Sequence, residues 1–182
     1  MAAAPLTATE RASRVKLMIF DVDGVLTDGG LMFTAQGDYM KSFNSMDGHG
    51  LKLLSAAGIE TAIITGRRSD IVLARAKELK VPHLYQGIAD KLEAFTELMR
   101  EANVTAEQCG YMGDDWPDLG VMTRCGFAAA PANAHPDVIA RAHWVSKARG
   151  GQGAAREVCE ALLRAQHHYD ALLAAACGTG RP

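Results

Sequence analysis

The sequence predicts an α/β protein, a Rossmann-like arrangement of a parallel sheet flanked by helices. Short apolar runs recur along the chain, and each ends in Gly or Asp, as buried parallel strands do. Between them lie segments with apolar residues at helical spacing. The two kinds of segment alternate, which is the pattern of strand–helix–strand units. With 182 residues, the chain suits one domain with a sizeable core, and leaves no room for a large cap over a substrate.

Each element follows in order. Residues 1–14 show no basic segment followed by an apolar stretch, so no secretory signal is visible, and they read as a flexible N-terminus ahead of a single domain spanning 15–176. Val15 to Phe20 reads as the first strand, running into Asp21-Val22-Asp23-Gly24. Where a crossover helix is expected, Gly30–Phe33 and Tyr39–Phe43 instead flank Thr34-Ala35-Gln36-Gly37-Asp38, and this reads as a β-hairpin. An isolated hairpin is marginal in water, so its apolar load (Leu31, Met32, Phe33, Tyr39, Met40 and Phe43) needs a surface, either its own domain or a second subunit. Gly50 to Ala57 reads as a helix stopped by Gly58. Thr61 to Ile64 is the second strand, leading into Thr65-Gly66. Ser69 reads as the N-cap of a helix that ends before Val81-Pro82. Lys91 to Ala102 is amphipathic. Cys109 to Met112 is the third strand and leads into Gly113-Asp114-Asp115. Pro117 opens a short helix through Met122. Gly126–Ala130 and Ala142–Val145 supply two more strands. A final helix is expected from Ala154 to Ala175, after the flexible joint Gly150-Gly151-Gln152-Gly153, with residues 177–182 as a disordered tail.

Composition excludes several classes. Lys plus Arg is 19 and Asp plus Glu is 21, a formal net charge of −2, so nothing draws the whole chain to nucleic acid or a membrane surface. Apolar residues make up 48% and charged residues 22%, which is globular rather than disordered composition. No apolar run approaches the roughly 20 residues of a membrane span. Cys109, Cys125, Cys159 and Cys177 are widely spaced with no C-x-x-C, as expected of reduced thiols in the cytoplasm.

The chemistry concentrates where strands end. Asp21 and Asp23 stand two apart, and crowded carboxylates favour binding a divalent cation or holding a proton. Taken singly, each motif has a plain structural explanation. Asp-x-Asp-Gly is a turn, Thr-Gly a strand exit, Lys91 a solvated lysine, and Asp115 with Asp118 a pair of acids at a helix N-terminus. Together they fall at the carboxyl ends of the strands, where open α/β sheets bind ligands. The joint reading is Mg²⁺-assisted phosphoryl transfer. Asp21 attacks phosphorus, and Asp23 serves as acid and then as base. Asp21, Asp114 and the backbone carbonyl of Asp23 hold the metal. Thr65, Gly66 and Lys91 hold phosphate oxygens. Asp115 and Asp118 support the site.

Phe20-Asp21-Val22-Asp23-Gly24-Val25-Leu26-Thr27, Ile64-Thr65-Gly66-Arg67, Lys91 and Gly113-Asp114-Asp115-x-x-Asp118 resemble the four signatures of the haloacid dehalogenase superfamily of phosphatases. Phe43-Asn44-x-x-Asp47-Gly48-x-Gly50, Leu84-Tyr85-Gln86-Gly87 and the segment from Gly150 to Cys159 resemble its capless, sugar-acid-phosphate branch. The likeness runs from Lys16 to His167. It implies a small-molecule sugar phosphate as substrate, hydrolysed with Mg²⁺ to the free sugar acid and phosphate, a step in lipopolysaccharide synthesis. It also implies a homotetramer whose hairpins form a central barrel and help close neighbouring sites. Substrate contacts implied by motif are Asn44, Asp47 and Gly48, with Arg67 and Arg75 nearby, and Gly150–Gly153 as a gate. The branch often has Arg at the positions of Met46 and Lys52 and Tyr at that of His49, so a nine-carbon sugar acid phosphate stands as the alternative substrate. A signalling receiver domain would place the paired acids in another chain order and leave the hairpin without a role. A non-catalytic assembly module would have no need of Asp21, Asp23, Thr65, Lys91 and Asp114 together.

Overall fold

A computed structural model describes residues 5–179. Its strands are β1 (Leu17–Phe20), β2 (Met32–Thr34), β3 (Gly37–Met40), β4 (Glu60–Thr65), β5 (His83–Gln86), β6 (Cys109–Met112), β7 (Phe127–Ala130) and β8 (Trp144–Val145). The helices are α1 (Ala8–Ala12), α2 (Ser45–Ala56), α3 (Asp70–Leu79), α4 (Lys91–Glu101), α5 (Trp116–Met122), α6 (Pro136–Ile139), α7 (Ala154–Ala165) and α8 (Tyr169–Ala176). Six strands form one parallel sheet in the order β5-β4-β1-β6-β7-β8, and β2 pairs only with β3. No large cap covers the sheet among the described residues.

Strand periodicity divides the core into two layers. On one face of β1, Leu17 and Ile19 pack with Ile64, Tyr111, Phe95 and Leu98. On the other, Met18 and Phe20 pack with Ile63, Leu51, Leu54, Val158 and Leu162. Both faces of β1 are buried, which is why it reads as a continuous apolar run. The sheet order puts the ends of β4, β1 and β6 side by side, and those ends carry Thr65, Asp21 and Asp114.

Several expectations need correction. The N-terminal segment is ordered where described. Thr7 caps α1, Ala12 is buried, and Arg11 Nη1 donates to the Gly126 carbonyl at 2.9 Å. The hairpin is tighter than expected, with Ala35-Gln36 as its turn and Gly37 at φ 121°. Phe43 leaves the hairpin to pack against the domain core. β5 and α6 add to the expected elements. β5 is an edge strand, half-buried along its length, and lacks the apolar run that marks the central strands. The single C-terminal helix is two, broken at His167, whose φ is +61°. In the expected tail, Gly178 and Thr179 close α8, the Thr179 amide donating to Ala174 at 3.0 Å. Residues 180–182 of that tail lie outside the described residues.

The glycine-rich joint is a packed strap. The Gly151 amide donates to Val25 at 2.9 Å and the Gly150 amide to Asn133 Oδ1 at 2.8 Å. A Cβ on Gly150 would collide with the Gly24 carbonyl, so only glycine lets the strap lie this close to the loop after β1.

Candidate active site

The loop after β1 is wound tightly around one carbonyl. The amides of Val25, Leu26 and Thr27 all donate to Val22, and Thr27 Oγ1 donates to the same oxygen at 3.3 Å. This turn lifts Asp23 to the rim of the cleft while Asp21 stays at the strand end, where its amide donates to Met112 at 3.0 Å. Gly24 sits at φ +88°, and a Cβ there would strike the Asp114 carboxylate. Its missing side chain therefore leaves Asp114 room beside Asp21.

Lys91 is the first residue of α4. Asp90 caps that helix by accepting from the Leu92 amide at 2.9 Å. Side chains tilt toward a helix N-terminus, which here faces the sheet end. The buried Lys91 Nζ consequently lies 2.9 Å from Asp21 Oδ2 and 2.7 Å from Asp118 Oδ1. Asp118, in α5, is fully committed. Its Oδ1 also accepts from Tyr111 Oη at 2.7 Å, and its Oδ2 accepts from the amides of Asp114 and Asp115 at 3.0 and 3.2 Å.

Carboxylate oxygens of Asp21, Asp114 and Asp118 lie within 4.8 Å of one another. Three carboxylates thus face one ammonium. Burial, then Asp118, then Asp21 push the Asp114 carboxyl up to about 7. Burial and Asp118 push Asp21 upward too, against the pull of Lys91. Burial alone would lower Lys91, but Asp21 and Asp118 outweigh it and hold the ammonium above its usual value. Hard oxygen donors short of positive charge are what a divalent cation such as Mg²⁺ requires. Asp118 spends both its oxygens on hydrogen bonds, so Asp21 and Asp114 are the carboxylates available to hold one.

Thr65, Gly66, Arg67, Lys91, Asp21, Asp23, Asp114, Asp115 and Asp118 all line one open cleft of about 320 Å³, joined by Gly29, Leu31 and Pro117. The structure therefore gathers the predicted catalytic, metal and phosphate residues. It does not gather all five predicted substrate contacts, of which only Arg67 reaches the cleft. Asn44 caps α2, accepting from the Met46 amide at 2.8 Å. Asp47 is buried and accepts from the amides of Arg156 and Gly153 at 2.7 and 3.2 Å. It caps α7, whose own N-cap is a glycine with no side chain to offer. Burial raises the Asp47 carboxyl although those amides favour its charge. A Cβ on Gly48 would strike the Arg75 guanidinium. Arg75 donates to Glu78 at 2.7 Å and stacks over Phe43 at 5.7 Å. Asn44, Asp47, Gly48 and Arg75 line only a crevice of about 10 Å³, space for a water at most.

Residues the sequence did not single out also enter the site. Tyr111 reads as a core strand residue, and nothing local marks its hydroxyl as a partner of Asp118. Lys41 and Asp38 read as hairpin surface, yet the Lys41 ammonium lies 2.5 Å from Asp23 Oδ1.

Comparison with known proteins finds relatives over most of the chain. Residues 83–158 match the model of haloacid dehalogenase-like hydrolases. The 3-deoxy-D-manno-octulosonate 8-phosphate phosphatase of Yersinia pestis is 45% identical over 157 residues, covering 86% of this chain and 84% of that protein. The Moraxella catarrhalis phosphatase of the same name, solved with magnesium ion, phosphate ion and KDO, superposes with a TM-score of 0.90 at 40% identity, over 93% of this chain and 97% of that one. The cobalt-bound Haemophilus influenzae phosphatase gives 0.89 at 38% identity, over 94% and 99%.

Proposed function

The chain belongs to the 3-deoxy-D-manno-octulosonate 8-phosphate phosphatase family of haloacid dehalogenase-like hydrolases, and from this premise we propose how its own residues perform the hydrolysis. The enzyme is a phosphoric monoester hydrolase. It releases the free sugar acid and phosphate from the 8-phosphate, in lipopolysaccharide synthesis. The observation that carries the mechanism is the Lys91 ammonium bridging Asp21 and Asp118 beside Asp114, at adjoining strand ends.

Asp21 attacks phosphorus, forming an aspartyl-phosphate. Lys91 orients the attacking carboxylate through Oδ2 and supplies charge to the phosphate oxygens beside it. Thr65 and the Gly66 backbone hold the remaining oxygens at the end of β4. Asp23 gives its proton to the departing sugar oxygen, then takes one from the water that cleaves the intermediate. Asp21, Asp114 and the Asp23 carbonyl would hold Mg²⁺, which when bound would offset the negative charge between carboxylate and phosphate. Arg67 faces the substrate's polar end. Its guanidinium suits a carboxylate, and its side chain is 45% exposed at the cleft.

The test is phosphate release across a panel of sugar phosphates, with Mg²⁺ and with chelator. The eight-carbon acid 8-phosphate is expected to lead the nine-carbon acid phosphate and the hexose phosphates by at least about tenfold in kcat/KM. Chelation should abolish turnover. Equal rates on a hexose phosphate would remove the substrate assignment.

The hairpin supports assembly as a homo-oligomer, a tetramer in the reading above. Phe33 is 66% and Tyr39 73% exposed, with Leu31, Met32 and Met40 beside them. A contiguous apolar surface of this kind marks an interface. Met32→Asp combined with Phe33→Asp should dissociate the oligomer, read as mass by light scattering. An unchanged mass would rule the hairpin out as the contact. The reading includes a cytoplasmic location, which the four unpaired cysteines suit. Among the described residues, no helix is long and apolar enough to cross a membrane.

A further inference from the structure

We propose that Asp38 is a positioning residue for substrate selection: from the hairpin it holds the Arg67 guanidinium at the cleft, where that group reads the carboxylate of the substrate. The inference rests on Arg67 being the carboxylate partner in the reading above.

Arg67 follows the Thr65-Gly66 strand exit, and its backbone is pinned. The Gly87 amide donates to the Arg67 carbonyl at 3.3 Å, and two residues on the Ser69 amide donates to Gln86 Oε1 at 2.8 Å. The side chain has less support. It is 45% exposed, and a free arginine side chain spreads over many rotamers. One hydrogen bond limits that spread, with Nη2 donating to Asp38 Oδ1 at 3.2 Å. Asp23 Oδ2 stands 3.8 Å from Nε, beyond hydrogen-bond distance, so among the described residues Asp38 alone bonds this guanidinium. Asp38 is placed to hold a partner. It is the one residue of β3 that is not exposed, while Tyr39 beside it is 73% exposed. Lys41 Nζ, one residue beyond the strand, stands 3.5 Å from Asp38 Oδ2. Burial would raise the Asp38 carboxyl, but Ser69, Arg67 and Lys41 together hold it below the usual value, as suits the anion of a charge-assisted bond.

Direct contact with substrate is not open to Asp38. It does not line the cleft, whereas Arg67 does. It acts through Arg67. A guanidinium is a planar fork of N–H donors, and Asp38 takes only one hydrogen of Nη2. Nη1 makes no hydrogen bond among the described residues. The fork is therefore held at one arm while donors remain for a second carboxylate. A donor oriented in advance loses less freedom when its partner arrives, and that gain appears as affinity. Only a substrate that brings a carboxylate to the fork collects the gain in full. A neutral sugar phosphate has the phosphate but not the acid group, so fixing Arg67 favours the sugar acid over it. The same bond ties the hairpin, with its apolar surface, to the mouth of the cleft, where Leu31 of that segment also stands.

The test compares an acid with a neutral substrate. The quantity read is the ratio of kcat/KM for the sugar acid 8-phosphate to that for glucose 6-phosphate, which has no carboxylate. Asp38→Ala should lower this ratio about fivefold or more. Asp38→Glu, which restores a carboxylate one methylene longer, should recover most of the loss. Arg67→Ala must lower the ratio as well, and its failure to do so overturns the carboxylate role of Arg67 and the proposal with it. If Arg67→Ala lowers the ratio but Asp38→Ala reduces both substrates equally or neither, the proposal alone is overturned. The double variant separates action through Arg67 from any other. With Arg67 already removed, Asp38→Ala should change the ratio no further, and a second independent fall would reject the proposal. Far-UV circular dichroism checks the fold. Should Asp38→Ala not fold, Asp38→Asn, which keeps the shape but gives up the charge, carries the same comparison. A fall in the ratio of about threefold or more supports the proposal and an unchanged ratio rejects it.

Discussion

Phosphate release by Asp21→Asn, with Mg²⁺ supplied, is expected to fall by at least about 10⁴-fold, in keeping with removal of a nucleophile. The amide has the shape of the carboxylate but lacks the charged oxygen that attacks phosphorus. It also withdraws one of the two carboxylates free to hold the metal. The fold should survive. Asp21 is pushed upward by burial and by Asp118, so its charge is a burden on the metal-free structure rather than a support. Lys91 keeps its 2.7 Å partner in Asp118. Thermal unfolding should therefore be unchanged or slightly raised while activity disappears. Turnover near wild type in a folded Asp21→Asn protein would end the assignment of Asp21 as nucleophile.

Asp118→Ala should act in the opposite sense, costing stability as well as activity. One side chain accepts from Lys91, Tyr111 and the amides of Asp114 and Asp115. Truncation strands a buried hydroxyl and leaves the ammonium with Asp21 as its remaining carboxylate partner. Breaking a buried ion pair from one side costs about 3–5 kcal/mol. Relief of repulsion on Asp21 and Asp114 returns part of that, so a loss of about 3 kcal/mol is expected. For a chain of this size, that lowers the melting midpoint by about 6–12 °C. Activity should fall too, because Asp118 fixes both Lys91 and the backbone that aims Asp114. Asp118→Asn keeps an acceptor for Lys91 or Tyr111 and should lose less on both counts. A midpoint within a degree or two of wild type for the alanine variant would show that the network is not what holds α5 to the sheet.

Much of the site was legible because its residues sit in loops that directly follow apolar strands. Asp21, Thr65 and Asp114 each stand at or just beyond the end of a strand recognisable from its own composition, and Lys91 follows a capping Asp90. The bonding partners of Asp47 are not legible in the sequence, for the opposite reason. Its motif lies at the start of α2, but its partners are amides at Gly153 and Arg156, 106 and 109 residues away. A carboxylate in a loop-like motif looks the same from the sequence whether it awaits a substrate or caps a distant helix. Lys41 was passed over because its neighbours Tyr39 and Met40 are exposed hairpin residues and nothing local sets it apart.

The sequence by itself determined the alternation of strand and helix, the order of the acidic loops and the chemistry they carry. Those follow from periodicity and from short spacings, which are properties of neighbouring residues. Only the tertiary structure decided which oxygen of Asp23 is held, which donors the Asp118 carboxylate binds, and that four of the five proposed substrate contacts line a crevice of about 10 Å³. Each of these depends on atoms brought together by packing across the sheet, and packing joins residues whose separation along the chain leaves no local trace.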